Sequence, residues 1–182
     1  MKRLILLVFC CITIIYATAQ NVDTYQSWSA LSQFANEEAL SYDIDFSNAT
    51  INAQEVEIFI AHESRWEEGL EDISYRFMTA FNQQAFQGNT PHRISPMQKY
   101  PYTLHVKVLQ VTTCLFSKHK THIKAIVSIT DQNGITLFSK QVEERNGIFG
   151  THLRLIGDAL QAVGETVGRA FYRYAIPQKS VY

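Results

Sequence analysis

The 182-residue sequence has few cysteines and no excess of charge of either sign. It contains three cysteines, and two of them, Cys10 and Cys11, lie in an apolar stretch near the amino terminus. A small exported protein held together by disulfides needs an even set of cysteines, so this class is excluded. Basic and acidic residues number 16 and 17, which argues against electrostatic binding of the whole protein to nucleic acid.

Common catalytic and cofactor-binding motifs are also missing. The sequence has no P-loop and no G-x-S-x-G, H-E-x-x-H or C-x-x-C pattern. We therefore predict no catalytic residue, no cofactor site and no metal site, and the absences favour a non-enzymatic role. Charge is unevenly placed: residues 37–72 hold 11 acidic side chains against one basic, whereas residues 73–130 hold seven basic and no acidic ones.

The amino terminus has the pattern of a secretory signal peptide. Lys2 and Arg3 form a short positive head, residues 4–15 are almost wholly apolar, and Ala17-Thr18-Ala19 offers an A-x-A cleavage site. This apolar run is too short for an ordinary membrane span. We predict that residues 1–19 are removed, that no transmembrane segment remains, and that the mature chain is periplasmic or extracellular.

The remaining sequence predicts one domain of the α+β class. We interpret residues 20–40 as a loosely ordered lead-in with one helical turn, 41–176 as the domain and 177–182 as a tail. The predicted order of elements is strand, helix, three strands and helix. Such an order is typical of one antiparallel or mixed sheet with helices packed on one face.

Capping signals precede two predicted helices. Asn52-Ala53-Gln54-Glu55 has the composition of a capping box, and residues 56–60 after it fit a short helix or a strand. Ser64-Arg65-Trp66-Glu67 repeats the signal before a longer segment whose apolar residues recur every three or four positions, which predicts a helix. Three of the four prolines lie in residues 88–101, so we expect a stiff, non-helical connection there.

Three strands in an antiparallel meander are predicted after these helices. The first covers residues 102–112, and a shift of its apolar phase at Leu109 indicates a bulge or burial of both faces. The second strand is centred on residues 123–129 and the third on 135–142. Asp131-Gln132-Asn133-Gly134 between them predicts a tight turn, since glycine readily adopts a positive φ.

The last predicted helix begins after Thr151, a suitable N-cap, and ends before Pro177. Its glycines Gly157, Gly164 and Gly168 lie close together beside the apolar stripe. Each glycine in a helix costs about 1 kcal/mol relative to alanine, so three of them indicate close approach to another backbone. We expect Gly164 and Gly168 to pack against the sheet of the same chain.

A basic segment between the first two strands of the meander is the candidate contact surface. It consists of Phe116, Lys118, His119, Lys120, His122 and Lys124. Lysines beside an aromatic residue at a hairpin tip suit an anionic ligand or a partner protein of the cell envelope. An ordinary exposed loop has the same composition, and binding of nucleic acid is not expected of an exported protein.

Two other sets of residues suggest chemistry. Cys114 with His119 and His122 could form a thiol nucleophile or a zinc site, but the sequence offers no fourth zinc ligand at a standard spacing and no glycine-rich nucleophile turn. Asp43 and Asp45 project from one strand face and could form an acid–base pair, or they could mark the exposed side of an edge strand.

The sequence resembles one group of proteins in four stretches. Residues 42–49, 102–108, 130–134 and 150–158 are similar, in the order in which they occur, to small uncharacterised exported proteins of Bacteroidetes-type bacteria. The element order is also loosely similar to the amino-terminal domain of TolB and to curli-secretion lipoproteins. The resemblance implies a role in the bacterial envelope and brings no catalytic residue with it.

Three hypotheses follow for the function. The first is an exported, non-enzymatic α+β domain with a binding or assembly role in the bacterial cell envelope. The second is a small hydrolase or thiol enzyme that uses Cys114 and a nearby histidine. The third is a structural subunit that packs on another chain through the glycines of the last helix. The oligomeric state does not follow from the sequence.

Overall fold

The computed structural model describes residues 25–86, 93–96, 99–114 and 120–175. The predicted signal peptide, residues 1–19, and the predicted tail, residues 177–182, lie outside the described residues. The same is true of three residues of the predicted contact surface, Phe116, Lys118 and His119.

The described residues fold into a seven-stranded mixed sheet with helices packed on it, so the predicted α+β class is confirmed. The strands are β1 (Ala39–Asp45), β2 (Thr50–Ile51), β3 (Gln54–Glu55), β4 (Arg93–Ser95), β5 (Tyr102–Thr112), β6 (Thr121–Asp131) and β7 (Thr136–Asn146). The helices are a 3₁₀ helix (Trp28–Phe34), α1 (Val56–His62), α2 (Trp66–Ala85) and α3 (His152–Tyr174). None of the helices in the described part of the chain is long and apolar enough to cross a membrane.

Strand β5 lies at the centre of the sheet. One edge pairs with β6 in antiparallel fashion, and β6 continues to β7, so the predicted meander is confirmed. The other edge pairs in parallel with β1 and then with β2, while β4 extends the sheet from β1 and β3 extends it from β2. The register of β5 and β6 shifts between Val108 and Gln110, which confirms the predicted bulge at Leu109.

The hydrophobic core lies between one face of the sheet, here called the inner face, and helices α2 and α3. Every second residue of β6 is buried because strand side chains alternate between the two faces. The inner face includes fully buried residues of β5 and β6: Leu104, Val106, Val108, Ile123, Ala125, Val127 and Ile129. The opposite, outer face carries mostly polar side chains, among them Asp43, Asp45, His105, Lys107, His122, Lys124, Ser128, Thr130 and Glu143.

Helices α2 and α3 lie directly against each other, and the glycines of α3 make this possible. A Cβ placed on Gly164 would lie 2.5 Å from the carbonyl oxygen of Phe77, and one on Gly168 would lie 2.5 Å from that of Phe81. The expectation of a close backbone approach is met, but the neighbour is α2 and not the sheet. Both helices lie side by side on the inner face, so the glycine face of α3 is turned sideways towards α2.

The segment before β1 is more ordered than the sequence suggested. Residues Trp28–Phe34 form a 3₁₀ helix, capped by the Ser27 side chain, in which Leu31 and Phe34 are buried in the core. The apolar residues recur every third position, and a 3₁₀ helix has three residues per turn. The spacing that suggested one helical turn therefore places one apolar face of this helix against the sheet.

Both predicted capping signals are wrong, although both helices exist. Asn52 and Ala53 have φ values of 52° and 64° and form the two-residue turn between β2 and β3. Positive φ at both central residues is the geometry of a type I′ hairpin turn, so Asn52 lies in a turn instead of capping α1. Helix α2 begins after Arg65, and no side chain caps its first turn.

Strand β4 was not predicted, because it lies in the proline-rich connection and has only three residues. Its backbone pairs with β1 on one edge. On α2, the Asn82 amide bonds to Ile94 twice: Oδ1 accepts from the Ile94 N–H at 2.9 Å and Nδ2 donates to the Ile94 carbonyl at 3.2 Å. A side chain of α2 thus takes the place of a neighbouring strand.

Candidate functional site

The structure places the described residues of the predicted contact surface on and beside β6. Lys120 is exposed just before the strand, while His122 and Lys124 lie on the outer face. Glu143 on β7 is 3.3 Å from Lys124 Nζ and 3.7 Å from His122 Nε2. A carboxylate therefore offsets part of the positive charge that the sequence indicated.

Charges of the acidic and basic segments meet in the fold. On the outer face, Asp43 Oδ1 lies 2.5 Å from His105 Nδ1, and His105 Nε2 lies 2.8 Å from the Thr130 hydroxyl. The hydrogen bond to Asp43 is the main cause of the raised pKa of His105, since it favours the protonated imidazole. Asp72 pairs similarly with Arg76, at 2.7 Å.

Asp45 does not form an acid–base pair with Asp43. Its Oδ1 accepts a 2.7 Å hydrogen bond from the Ser47 backbone N–H. This bond is the first cause of the lowered pKa of Asp45, because it stabilises the ionised carboxylate. On the outer face, the Asp43 carboxylate thus bonds to His105, whereas the Asp45 carboxylate bonds to the backbone of Ser47.

Cys114 lies just after β5 and is partly exposed. Among the described residues, no hydrogen bond or ion pair joins Cys114 to His122, whose ring contacts Glu143 instead. The described part of the chain contains no group of three or more His, Cys, Asp or Glu side chains that could hold a metal ion. His119 lies outside the described residues.

A polar cavity that the sequence did not indicate lies near the end of β5, and we call it the α1 pocket. Its volume is about 370 Å³. The lining residues come from the β2–β3 hairpin, from the end of α1 with the residue after it, and from the first residue of α3: Asn52, Gln54, Phe59, His62, Glu63 and His152. Polar side chains that converge in a concave site can fix the orientation of a ligand, although this lining is more polar than that of most ligand pockets.

Hydrogen bonds to Thr113 hold two walls of the α1 pocket together. The Asn52 side chain accepts from the Thr113 backbone N–H at 2.8 Å and donates to its hydroxyl at 2.9 Å. The same hydroxyl lies 2.7 Å from Nδ1 of His152. The chain from Asn52 through Thr113 to His152 therefore links the β2–β3 turn, the end of β5 and the start of α3.

Helix α1 and the residue after it position three further side chains of the α1 pocket. His62 Nδ1 donates a 2.8 Å hydrogen bond to the Ile58 carbonyl one turn earlier in the helix. The nearly buried ring of Phe59 contacts the His152 ring edge-on, with centroids 5.6 Å apart. Glu63, the residue after the helix, is half-buried.

A second cavity is larger but chemically simpler. It has a volume of about 590 Å³ and lies between α2 and β4, next to the exposed rings of Tyr75 and Phe86. The Arg93 guanidinium lies over the Phe86 ring, 5.5 Å from its centroid. Asn82 in this groove is already bonded to β4, and the other polar side chains of its lining, Thr79, Gln83 and Arg93, come from the same two elements. The α1 pocket brings polar side chains of three separate segments together, so it is the stronger candidate for recognition of a polar ligand.

Sequence reasoning missed the α1 pocket because its parts are far apart in the chain. His62 and His152 belong to different helices, and Asn52 was interpreted as a helix cap. The one local signal was a pair of residues, Asn52 and Ala53, between two short strand-like segments. Asparagine at a turn tolerates positive φ and often bonds to nearby backbone groups.

Comparisons with known proteins leave the fold without an informative relative. No protein-family model matches the chain, and no curated protein matches it. One solved structure, described as "Crystal structure of uncharacterized protein", is similar with 12% sequence identity and a TM-score of 0.30. The match covers 53% of this chain and 60% of that one, so the chain spans less than two thirds of its length.

Proposed function

We propose that this protein is an exported, non-enzymatic binding domain of the bacterial cell envelope. The signal-peptide pattern of residues 1–19 supports export. The observation that carries the binding role is the α1 pocket, in which polar side chains from three separate segments converge. Phe59 adds an aromatic wall, and the Asn52–Thr113–His152 hydrogen bonds hold the walls in place.

The geometry gives less support to a thiol enzyme. A cysteine nucleophile needs an adjacent base, which is usually a histidine within hydrogen-bonding distance. The described histidines His122 and His152 have ring nitrogens that contact Glu143 and Thr113, and no hydrogen bond joins either ring to Cys114. Cys114 also does not line the α1 pocket.

The glycines of α3 give no support to the structural-subunit hypothesis. Gly164 and Gly168 are buried against the backbone of α2 within the same chain. The surface that would have contacted a second chain is therefore covered in the monomer, and a binding role through the α1 pocket is the better-supported function.

Capture of envelope material by variants of the immobilised protein tests this proposal. We expect the wild-type protein to retain components of a bacterial envelope extract, and we expect His152→Ala to lose them because it removes one pocket wall. His105→Ala on the outer face is the matched control, and Cys114→Ser should retain the same components as the wild type. Equal capture by His152→Ala and the wild type would contradict a binding role of the pocket. Loss of capture in Cys114→Ser alone would favour the thiol enzyme.

A further inference from the structure

We infer that the α1 pocket binds a neutral ligand rich in hydroxyl groups, such as one sugar unit of an envelope glycan. This inference rests on the proposed binding function and names the chemical class of its ligand. It depends on the charge of the lining side chains, on their hydrogen-bonding capacity and on the rigidity of the pocket walls.

The charged side chains of the lining favour a neutral ligand over an anionic one. No lysine or arginine is among the residues that line the α1 pocket, whereas the carboxylate of Glu63 is. A phosphate or carboxylate group in the pocket would meet this negative charge without a lysine or arginine to offset it. The ligand class suggested for the basic segment near β6 therefore does not fit this cavity.

The two histidines add hydrogen-bonding groups to the pocket. A carbonyl oxygen can only accept, so the bond to Ile58 places the hydrogen of neutral His62 on Nδ1 and leaves Nε2 as an acceptor. At His152, Nδ1 lies 2.7 Å from the Thr113 hydroxyl, and either atom of this pair can be the donor. The Nε2 atom of His152 is therefore a donor in one tautomer and an acceptor in the other.

A hydroxyl group suits this arrangement because it can donate and accept at the same time. One ligand with several hydroxyls can therefore satisfy the His62 acceptor, either tautomer of His152 and the Glu63 carboxylate together. The amide of Gln54 adds one acceptor and two donors to the same lining. Phe59 adds only a small apolar area to the lining, because the residue is 8% exposed and its ring packs on Trp66 and His152.

The β2–β3 wall of the pocket is anchored to the rest of the fold. The backbone N–H of Asn52 donates to the Val111 carbonyl at 2.9 Å, and its side chain is bonded to Thr113. The β2–β3 turn is thus anchored to the end of β5 by both backbone and side chain. Binding to a preformed site avoids the entropic cost of ordering loops, which is important for small polar ligands.

Sugars that share one ring but differ in charge test the inference. The purified protein is titrated with glucose, galactose, mannose and N-acetylglucosamine, and with glucose 6-phosphate as the anionic counterpart, while ¹H–¹⁵N spectra of the backbone and histidine rings are followed. We expect at least one neutral sugar to shift the signals of His62 and His152, and glucose 6-phosphate to bind at least about tenfold more weakly than glucose or not at all.

Two variants and one control locate the binding. His152→Ala and Gln54→Ala should each weaken the neutral sugar by about tenfold, since each removes a hydrogen-bonding partner. Gln54 is exposed on a two-residue strand, so its variant should keep the fold if His152→Ala does not. His105→Ala on the outer face should bind as the wild type does.

The outcomes separate this inference from the proposed function. If none of the four neutral sugars shifts the pocket signals, or if glucose 6-phosphate binds more tightly than glucose, the ligand class is wrong. If the ligand class is wrong but capture of envelope components still depends on His152, the proposed binding function remains and the ligand belongs to another chemical class. If capture is also independent of His152, both proposals fail.

Discussion

The inner and outer faces of the sheet share the same strands but are built by different chemistry. On the inner face, side chains of β5 and β6 are fully buried, and α2 and α3 approach so closely that backbone atoms meet at Gly164 and Gly168. On the outer face, polar side chains stay half-exposed and bond in separate pairs, such as Asp43 with His105. A substitution on the inner face should therefore lower the free energy of unfolding more than a substitution on the outer face.

The largest effect is expected where α3 meets the α2 backbone. In Gly164→Ala, the new Cβ would lie 2.5 Å from the Phe77 carbonyl oxygen, and a backbone atom cannot move aside easily. We expect the free energy of unfolding to fall by about 1–3 kcal/mol through overpacking, despite a gain of about 1 kcal/mol in helix propensity. Urea unfolding monitored by circular dichroism measures this change.

Gly157→Ala in the same helix is the matched control. Its Cβ would meet the side chain of Arg76 at 3.1 Å, and a flexible side chain can shift. The free energy of unfolding should change by less than about 1 kcal/mol, because helix propensity compensates for the displaced side chain. If both variants lost the same free energy of unfolding, contact with the α2 backbone would not be the reason why substitutions between α2 and α3 are destabilising.

An intermediate effect is expected at the edge of the sheet, where α2 supports β4. Asn82→Ala removes both hydrogen bonds to Ile94, and we expect the free energy of unfolding to fall by about 1–2 kcal/mol. Hydrogen exchange at the Ile94 amide should accelerate more than exchange in β6. The neighbouring variant Gln83→Ala, at an exposed position, serves as the control. Unchanged exchange at Ile94 would contradict a supporting role of Asn82.

The smallest effect is expected on the outer face and depends on pH. The pKa of His105 is raised from its ordinary value of 6.5 by Asp43, so the pair stabilises the fold fully below that value. This contribution is lost as the pH rises through the folded-state pKa. Both side chains are partly exposed, at 36% and 55%, so less than about 1 kcal/mol is expected.

Urea unfolding of His105→Asn and the wild type from about pH 5 to pH 9 measures this contribution. The difference in stability between the two proteins should be largest at the acidic end and should shrink as the pH increases. Asp43→Asn should show the same trend, because either variant breaks the pair. A difference that does not vary with pH would mean that the pair does not contribute to stability through its charge.

Local sequence patterns were sufficient to predict several structural elements. The bounds of β5 and its bulge at Leu109 followed from the alternation of apolar residues and its change of phase, which depend only on neighbours in the chain. The N-cap of α3 is Thr151, whose side chain accepts from the Arg154 N–H as the sequence indicated. The turn before Gly134, with a φ of 78°, was identified in the same way.

Other features depend on partners that are distant in the sequence. Asn52 has the residue type of a helix cap, but its side chain bonds to Thr113, which is 61 residues away, and the segment forms a hairpin turn. Three residues of β4 are too few to show periodicity, and the strand is stabilised by Asn82 and by β1. The α1 pocket joins three such segments, so no local pattern marks it.

The sequence by itself determined the α+β class, the meander, the two long helices and the close approach demanded by glycines in α3. These properties follow from periodicity and from the backbone preferences of single residues, which act within a few positions. Only the tertiary structure decided that α2 is the neighbour of those glycines, that β1 and β2 run parallel to β5, and that His62 and His152 line one cavity. Such pairings depend on the packing of the whole core. Each of them brings together side chains that are distant in the sequence, so the residues around one partner do not indicate the other.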